Sequence, residues 1–180
     1  MDDAEARARA LSSPVRLRIL RLCLHQGRTN KELADALAMN PATALHHVRT
    51  LLATGFLAAG DMRTGRRGAR EIPYRATRLS WSTPVENISP VLVETFLQEI
   101  SGLEPAEMDV SRLGLKLNKA HQKQMQDRIG ALLQEYADMP ADADGEPTSI
   151  FFVHHPDRAG QATTGQADGR HPAGPAPEGR

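Results

Sequence analysis

The 180-residue chain has one cysteine, Cys23. No internal disulfide can form, and a reducing compartment, the cytoplasm, is expected. Aromatic residues make up only 4% of the chain, so a core must be built from aliphatic side chains. Long apolar runs are missing: none approaches the ~20 residues of a membrane-spanning helix. The acidic start (Asp2, Asp3, Glu5) is followed by no apolar stretch, so no secretory signal is expected. No phosphate-binding glycine loop, zinc-protease motif or nucleophile elbow occurs, and an enzyme is not expected. Ligand sets are also lacking. Cys23 has no second cysteine, and within an apolar run it reads as a small buried hydrophobe. His46 and His47 are helical neighbours whose side chains diverge. His154 and His155 alternate across a strand-like stretch. Asp142, Asp144 and Glu146 begin like a calcium loop but lack the later bidentate glutamate. Neither a metal nor a cofactor is expected.

Charge of one sign is absent overall, since 22 basic residues balance 22 acidic ones. That balance conceals a division. Residues 1–81 hold 14 Lys and Arg against 7 Asp and Glu, and residues 82–180 hold 8 against 15. A basic front joined to an acidic rear suggests a polyanion-binding domain attached to a part that does not bind polyanions.

The most ordered signals lie between residues 28 and 57. Thr29 is a good helix cap, and Glu32 follows at the capping-box spacing. Leu33, Ala34 and Leu37 form one face of a short helix. Asn40 can cap a second helix, with Pro41 at its first position, where a missing N–H does no harm. Ala44, Val48 and Leu51 give that helix an inner face, which turns Thr43, His46 and Arg49 outward; His47 flanks the inner face and should make a supporting hydrogen bond. Gly55 suits the left-handed turn at the helix end. Two short helices joined tightly are the unit that lays its second helix in the DNA major groove.

Before this unit, residues 3–11 are Ala- and Arg-rich and should be helical. Ser13 as cap and Pro14 start another helix, largely apolar from Val15 to Leu24 and ending at Gly27. After it, residues 56–59 and 72–77 read as strands around a basic hairpin tip at residues 61–71. Its arginines, Arg63, Arg66, Arg67 and Arg70, could follow phosphates or enter the minor groove. Pro73 suits an edge strand.

The residues Ser13-Pro14-Val15-Arg16-Leu17-Arg18-Ile19-Leu20, Glu32-Leu33-Ala34, Thr43-Ala44-Leu45-His46-His47-Val48, Gly55-Phe56-Leu57, Gly65-Arg66-Arg67-Gly68 and Tyr74-Arg75-Ala76-Thr77 together resemble the ArsR-type winged-helix repressors. The resemblance spans roughly residues 5 to 80. It implies a homodimer joined by the first helix and a helix after the wing. Leu45 stands where that family usually places a small polar residue facing DNA. The metal-binding members carry a Cys-x-Cys before the recognition helix, or His and Asp pairs on the dimer helix; residues 32–39 have no Cys, and residues 91–101 have no His or Asp.

Beyond the wing, residues 80–89 read as a linker. Ser89 and Pro90 start an amphipathic helix with Val93, Phe96, Leu97 and Ile100 on one face, closed by Gly102. Residues 112–117 alternate like a strand, Asn118 caps a helix to about Tyr136, and residues 149–153 resemble a short buried strand. Residues 156–180 contain 5 Gly and 4 Pro and should be disordered.

The expected fold is mainly α with a small β-wing: a winged helix-turn-helix domain at residues 1–81, a smaller helical or α+β region at 82–155 for dimerisation and signal reception, and a disordered tail at 156–180. The expected function is sequence-specific binding of double-stranded DNA by a homodimeric repressor, with Thr29, Asn40, Pro41, Thr43, Leu45, His46, Arg49, Arg63, Arg66, Arg67 and Arg70 at the DNA. A small-molecule or protein effector of unknown identity would act on the second region. The competing reading is a winged helix that binds proteins and not specific DNA.

Overall fold

The computed structural model describes residues 3–65, 68 and 70–158. Helix α1 (Asp3–Leu11) leads into α2 (Pro14–Leu22). Arg16 of α2 donates to the carbonyl oxygens of Arg9 and Ala10, satisfying groups the end of α1 leaves open. Pro14 starts α2 as expected, but Ser13 makes no side-chain capping bond, and the helix ends with Cys23 as its cap, short of Gly27.

A two-residue strand β1 (Arg28–Thr29) precedes α3 (Asn30–Ala36) and α4 (Pro41–Ala53). Then come β2 (Leu57–Ala59), β3 (Arg63–Thr64), β4 (Arg70–Glu71) and β5 (Pro73–Ala76). One antiparallel sheet has the order β1-β5-β2, and β3 pairs with β4 as a separate outer ribbon. Thus β5 is central, not an edge. Pro73 is accommodated as its first residue, opposite Thr29, and its carbonyl accepts from Gly60. The sheet is tied to the helices by Ala76 N–H donating to the Cys23 carbonyl and Thr77 N–H to the Phe56 carbonyl.

The core lies where α2, α3, α4 and the sheet meet. Leu11, Ile19, Cys23, Leu33, Val48, Leu51 and Phe56 are fully buried there. Each such aliphatic or aromatic side chain contributes about 1.5–3 kcal/mol of burial. Cys23 behaves as a core hydrophobe: burial pushes its thiol up to about 11. The expected linker is partly structured. It holds a short helix α5 (Leu79–Ser82), and Leu79, Val85 and Ile88 pack against the core.

Helix α6 (Ser89–Ile100) lies against α2. Its cap residue is Ile88, so Ser89 is already helical and caps nothing. Thr95, 5% exposed, is its buried residue, and its hydroxyl is satisfied by the Val91 carbonyl. Glu99 pairs with Arg21 of α2 at 2.9 Å. Of the expected apolar face, Val93 and Leu97 remain exposed, and Phe96 stacks on Phe151, centroids 4.3 Å apart.

A 3-10 turn (Pro105–Glu107) precedes α7 (Lys119–Asp138), which Asn118 caps through the His121 N–H. The two expected strands do not form: residues 112–117 and 149–153 are irregular. Alternation alone does not make a strand, and among the described residues no neighbouring segment offers either of them a ladder. The second region is therefore helical, without a sheet among the described residues. Residues 159–180, most of the expected tail, lie outside the described residues.

Candidate nucleic-acid interface

Helix α3 is held at both ends. Thr29 Oγ1 accepts from the Glu32 N–H at 3.3 Å, and the Glu32 carboxylate accepts from the Thr29 N–H at 2.7 Å, a complete capping box. These bonds, the Thr29 N–H first, hold the Glu32 carboxyl below its ordinary range. At the far end of α3, Met39 N–H reaches the Ala34 carbonyl and Ala38 N–H the Asp35 carbonyl. This is the Schellman arrangement, with Ala38 left-handed at φ 49°. Asn40 then caps α4 by accepting from Ala42 at 2.8 Å, and Pro41 follows as expected. Asn30, which the residue pattern did not single out, donates to the Pro41 carbonyl at 2.9 Å and bridges the two helices directly. Helix α4 closes with a second Schellman arrangement, Phe56 to Leu51 and Gly55 to Leu52, with Gly55 at φ 78°.

Between these caps α4 presents two faces. Ala44, Val48 and Leu51 are fully buried. Pro41, Thr43, His46 and Arg49 are exposed and Leu45 is half-buried. The outward set is thus brought together on one helix, with Asn40 at its open end. His47 lies between the faces. Its Nδ1 is enclosed and has no hydrogen-bond partner among the described residues, so the expected supporting bond is not made through that atom. Burial first, then Arg16 and His46, pushes its imidazole below its ordinary value and favours the neutral form.

Two expected contact residues are differently employed. Thr29 is 4% exposed, paired in β1 and occupied by its cap, so it faces the interior and not a ligand. Arg63 reaches back from the wing to Glu32 at 3.1 Å and to Glu71 at 3.6 Å. It ties β3 to the first turn of α3. A Cβ at Gly65 would meet the Glu71 carboxyl, which would have to shift. Arg70 is exposed on the outer ribbon. Arg66 and Arg67 lie outside the described residues. Among the described residues no group of three or more His, Cys, Asp or Glu is placed to hold a metal ion, and no helix is long and apolar enough to cross a membrane.

The fold and the two-faced α4 define a winged helix-turn-helix protein, the class to which many DNA-binding transcription regulators belong. A family model described as a helix-turn-helix domain matches residues 11–58. That span runs from the end of α1 to the start of β2 and leaves the outer wing unmatched. No curated protein matches the chain. Solved structures similar to it include the adhesin competence repressor AdcR of Streptococcus pyogenes, 17% identical, covering 68% of this chain and 78% of that one at a TM-score of 0.34. A mutant of Lactococcus lactis ZitR in apo form is 19% identical over 69% and 83%, at 0.35. BpsR of Bordetella bronchiseptica, whose DNA binding is regulated by 6-hydroxynicotinic acid, is 21% identical over 71% and 78%, at 0.34.

Proposed function

We propose that this chain is a sequence-specific, double-stranded-DNA-binding transcriptional regulator of the ArsR type, acting as a homodimeric repressor. The carrying observation is α4: a helix capped at Asn40, anchored by Ala44, Val48 and Leu51, and presenting Thr43, His46 and Arg49 to solvent. A helix so held can enter a major groove, where all four base pairs differ in their donors and acceptors. The wing supplies Arg70 and, in sequence, Arg66 and Arg67. Its natural targets are phosphate or a narrow minor groove. Arg63 contributes by fixing the wing against α3. The dimer contact follows the resemblance and uses α1 and α6, whose Val93 and Leu97 are exposed among the described residues. A cytoplasmic location accompanies this reading.

The test is selection of bound DNA from a random pool, followed by salt titrations on a selected and a scrambled site. Replacing Thr43, His46 and Arg49 by Ala should relax sequence preference, at about 1–3 kcal/mol for each well-formed hydrogen-bonded pair with a base that is removed. Replacing Arg66 and Arg67 by Ala should weaken both sites equally and flatten the log–log salt slope by about one unit per phosphate neutralised. The reverse assignment would exchange the roles of helix and wing. If neither set changed affinity, the chain would be a protein-binding winged helix.

A further inference from the structure

Helix α7 is twenty residues long and has no buried residue. The fold reaches it through few polar contacts: Trp81 Nε1 donates to Gln134 at 2.8 Å, and Gln126 bonds His154 at 2.9 Å. Yet α7 is not patterned as a free helix. Met125, Ile129, Leu132 and Tyr136 recur at spacings of four, three and four, with Met139 three residues on. That is the a/d seam of a helix pair, repeating every 3.5 residues. Leu132 and Tyr136 are 53% and 62% exposed. The seam opens into a shallow groove of about 780 Å³, bounded on one side by Leu115 and Leu117 and edged by Arg128 and Glu135.

The two edging charges indicate what fills the groove. Arg128 and Glu135 are seven residues apart, each immediately preceding a seam position (Ile129 and Tyr136). They therefore flank the seam on the same side, about 10 Å apart along the axis, too far to pair with each other. Among the described residues neither has an ion-pair partner. If a second α7 lies antiparallel, so that Ile129 faces the partner's Leu132 and Met125 faces the partner's Tyr136, Arg128 falls beside the partner's Glu135. Two-fold symmetry repeats the pair on the other half. In a parallel pair the residue opposite Arg128 would be the partner's Leu133, and the charge match would vanish.

We propose that α7 is a self-association helix whose occupant is the α7 of a second copy, packed antiparallel through Met125, Ile129, Leu132 and Tyr136, with its direction set by Arg128 and Glu135. This rests on the homodimer reading above and adds to it a second interface, separate from α1 and α6.

The experiment is sedimentation equilibrium of the full chain and three charge variants, with circular dichroism to verify that each is folded. Arg128→Glu places two like-charged pairs at the seam and should weaken association about tenfold. Glu135→Arg should do the same. The double variant, Arg128→Glu with Glu135→Arg, restores opposite charges and should recover wild-type association. A dimer indifferent to all three variants would overturn the α7 pairing while leaving the homodimer intact. Weakening by both single variants without recovery in the double would overturn the antiparallel register. A wild-type chain that stays monomeric at micromolar concentration would overturn both the pairing and the homodimer reading.

Discussion

Among the described residues Ala38 is one of three non-glycine residues with a left-handed backbone, φ 49°, and it sits in the turn that sets α3 against α4. For an L-residue with a Cβ this conformation costs about 1–2 kcal/mol, whereas glycine adopts it freely but loses more entropy on folding. The first term outweighs the second here. Ala38→Gly should raise stability by about 0.5–1 kcal/mol without altering DNA preference, measured by urea unfolding. Loss of stability would mean that the Schellman turn is not what holds this corner. His47 makes a second residue-level prediction. Its folded imidazole is harder to protonate than the unfolded one, whose ordinary value is 6.5. The unfolded chain therefore binds the proton first as pH falls. His47 costs nothing well above pH 6.5, and stability declines as pH drops below that value toward the folded pKa. Glu32 acts in the same direction but lower, its contribution lost only as pH falls through a folded value below 4.5. Comparing unfolding at about pH 7.5 and about pH 5.5 isolates the histidine. His47→Leu should lose less stability between the two than the native chain does.

Among the elements, α3 carries the most consequential termini. Thr29→Ala removes the hydroxyl that accepts from Glu32 and should destabilise by about 1 kcal/mol. It should also loosen the wing, because the Glu32 carboxylate that serves the cap also holds Arg63. Arg63→Ala should consequently lower affinity for all DNA sequences while leaving the salt slope unchanged, in contrast to Arg66→Ala. A slope change equal to that of Arg66→Ala would return Arg63 to the phosphate-contacting set. These elements were the legible ones. The caps Thr29, Asn40 and Asn118, with Pro41, Gly55 and the spacing of Ala44, Val48 and Leu51, are local signals that the structure places where their chemistry suggests, whereas Ser13 and Ser89 make no capping bond. What the sequence hid was non-local. The burial of Thr29 depends on β1 pairing with β5, more than forty residues away. The wing anchor depends on Glu32 and Arg63 meeting across 31 positions. Residues 112–117 have a strand's alternation, but Leu113 is 78% exposed, with no second strand beside it among the described residues. For α6 the spacing marks an apolar face of which Val93 and Leu97 stay exposed, but it does not show that Thr95 is buried and Glu99 pairs with Arg21 of α2, which depends on the partner helix and not on the pattern.

For the whole molecule, the division of charge has a directional consequence. The basic half contains α4 and the wing, and the acidic half contains α6 and α7. In the proposed dimer, joined through α1, α6 and α7, the acidic charge of α6 and α7 lies away from the phosphates while the two α4 helices face the DNA together. Helices related by a two-fold axis read half-sites related by the same axis, with centres about one helical turn apart, roughly 34–36 Å or 10–10.5 base pairs, or a multiple of that. The selected DNA should accordingly be an inverted repeat with one fixed spacing. Inserting about five base pairs between the half-sites turns one of them to the opposite face of the duplex. Affinity should then fall to that of a single half-site, and inserting about ten should restore much of it at the cost of some strain. Gel-shift titrations at one fixed salt concentration measure all three, since affinities at different salt cannot be compared. If binding to the five-base-pair insertion equals that to the native spacing, the two α4 helices do not engage DNA as a rigid pair, and the chain reads one half-site per monomer.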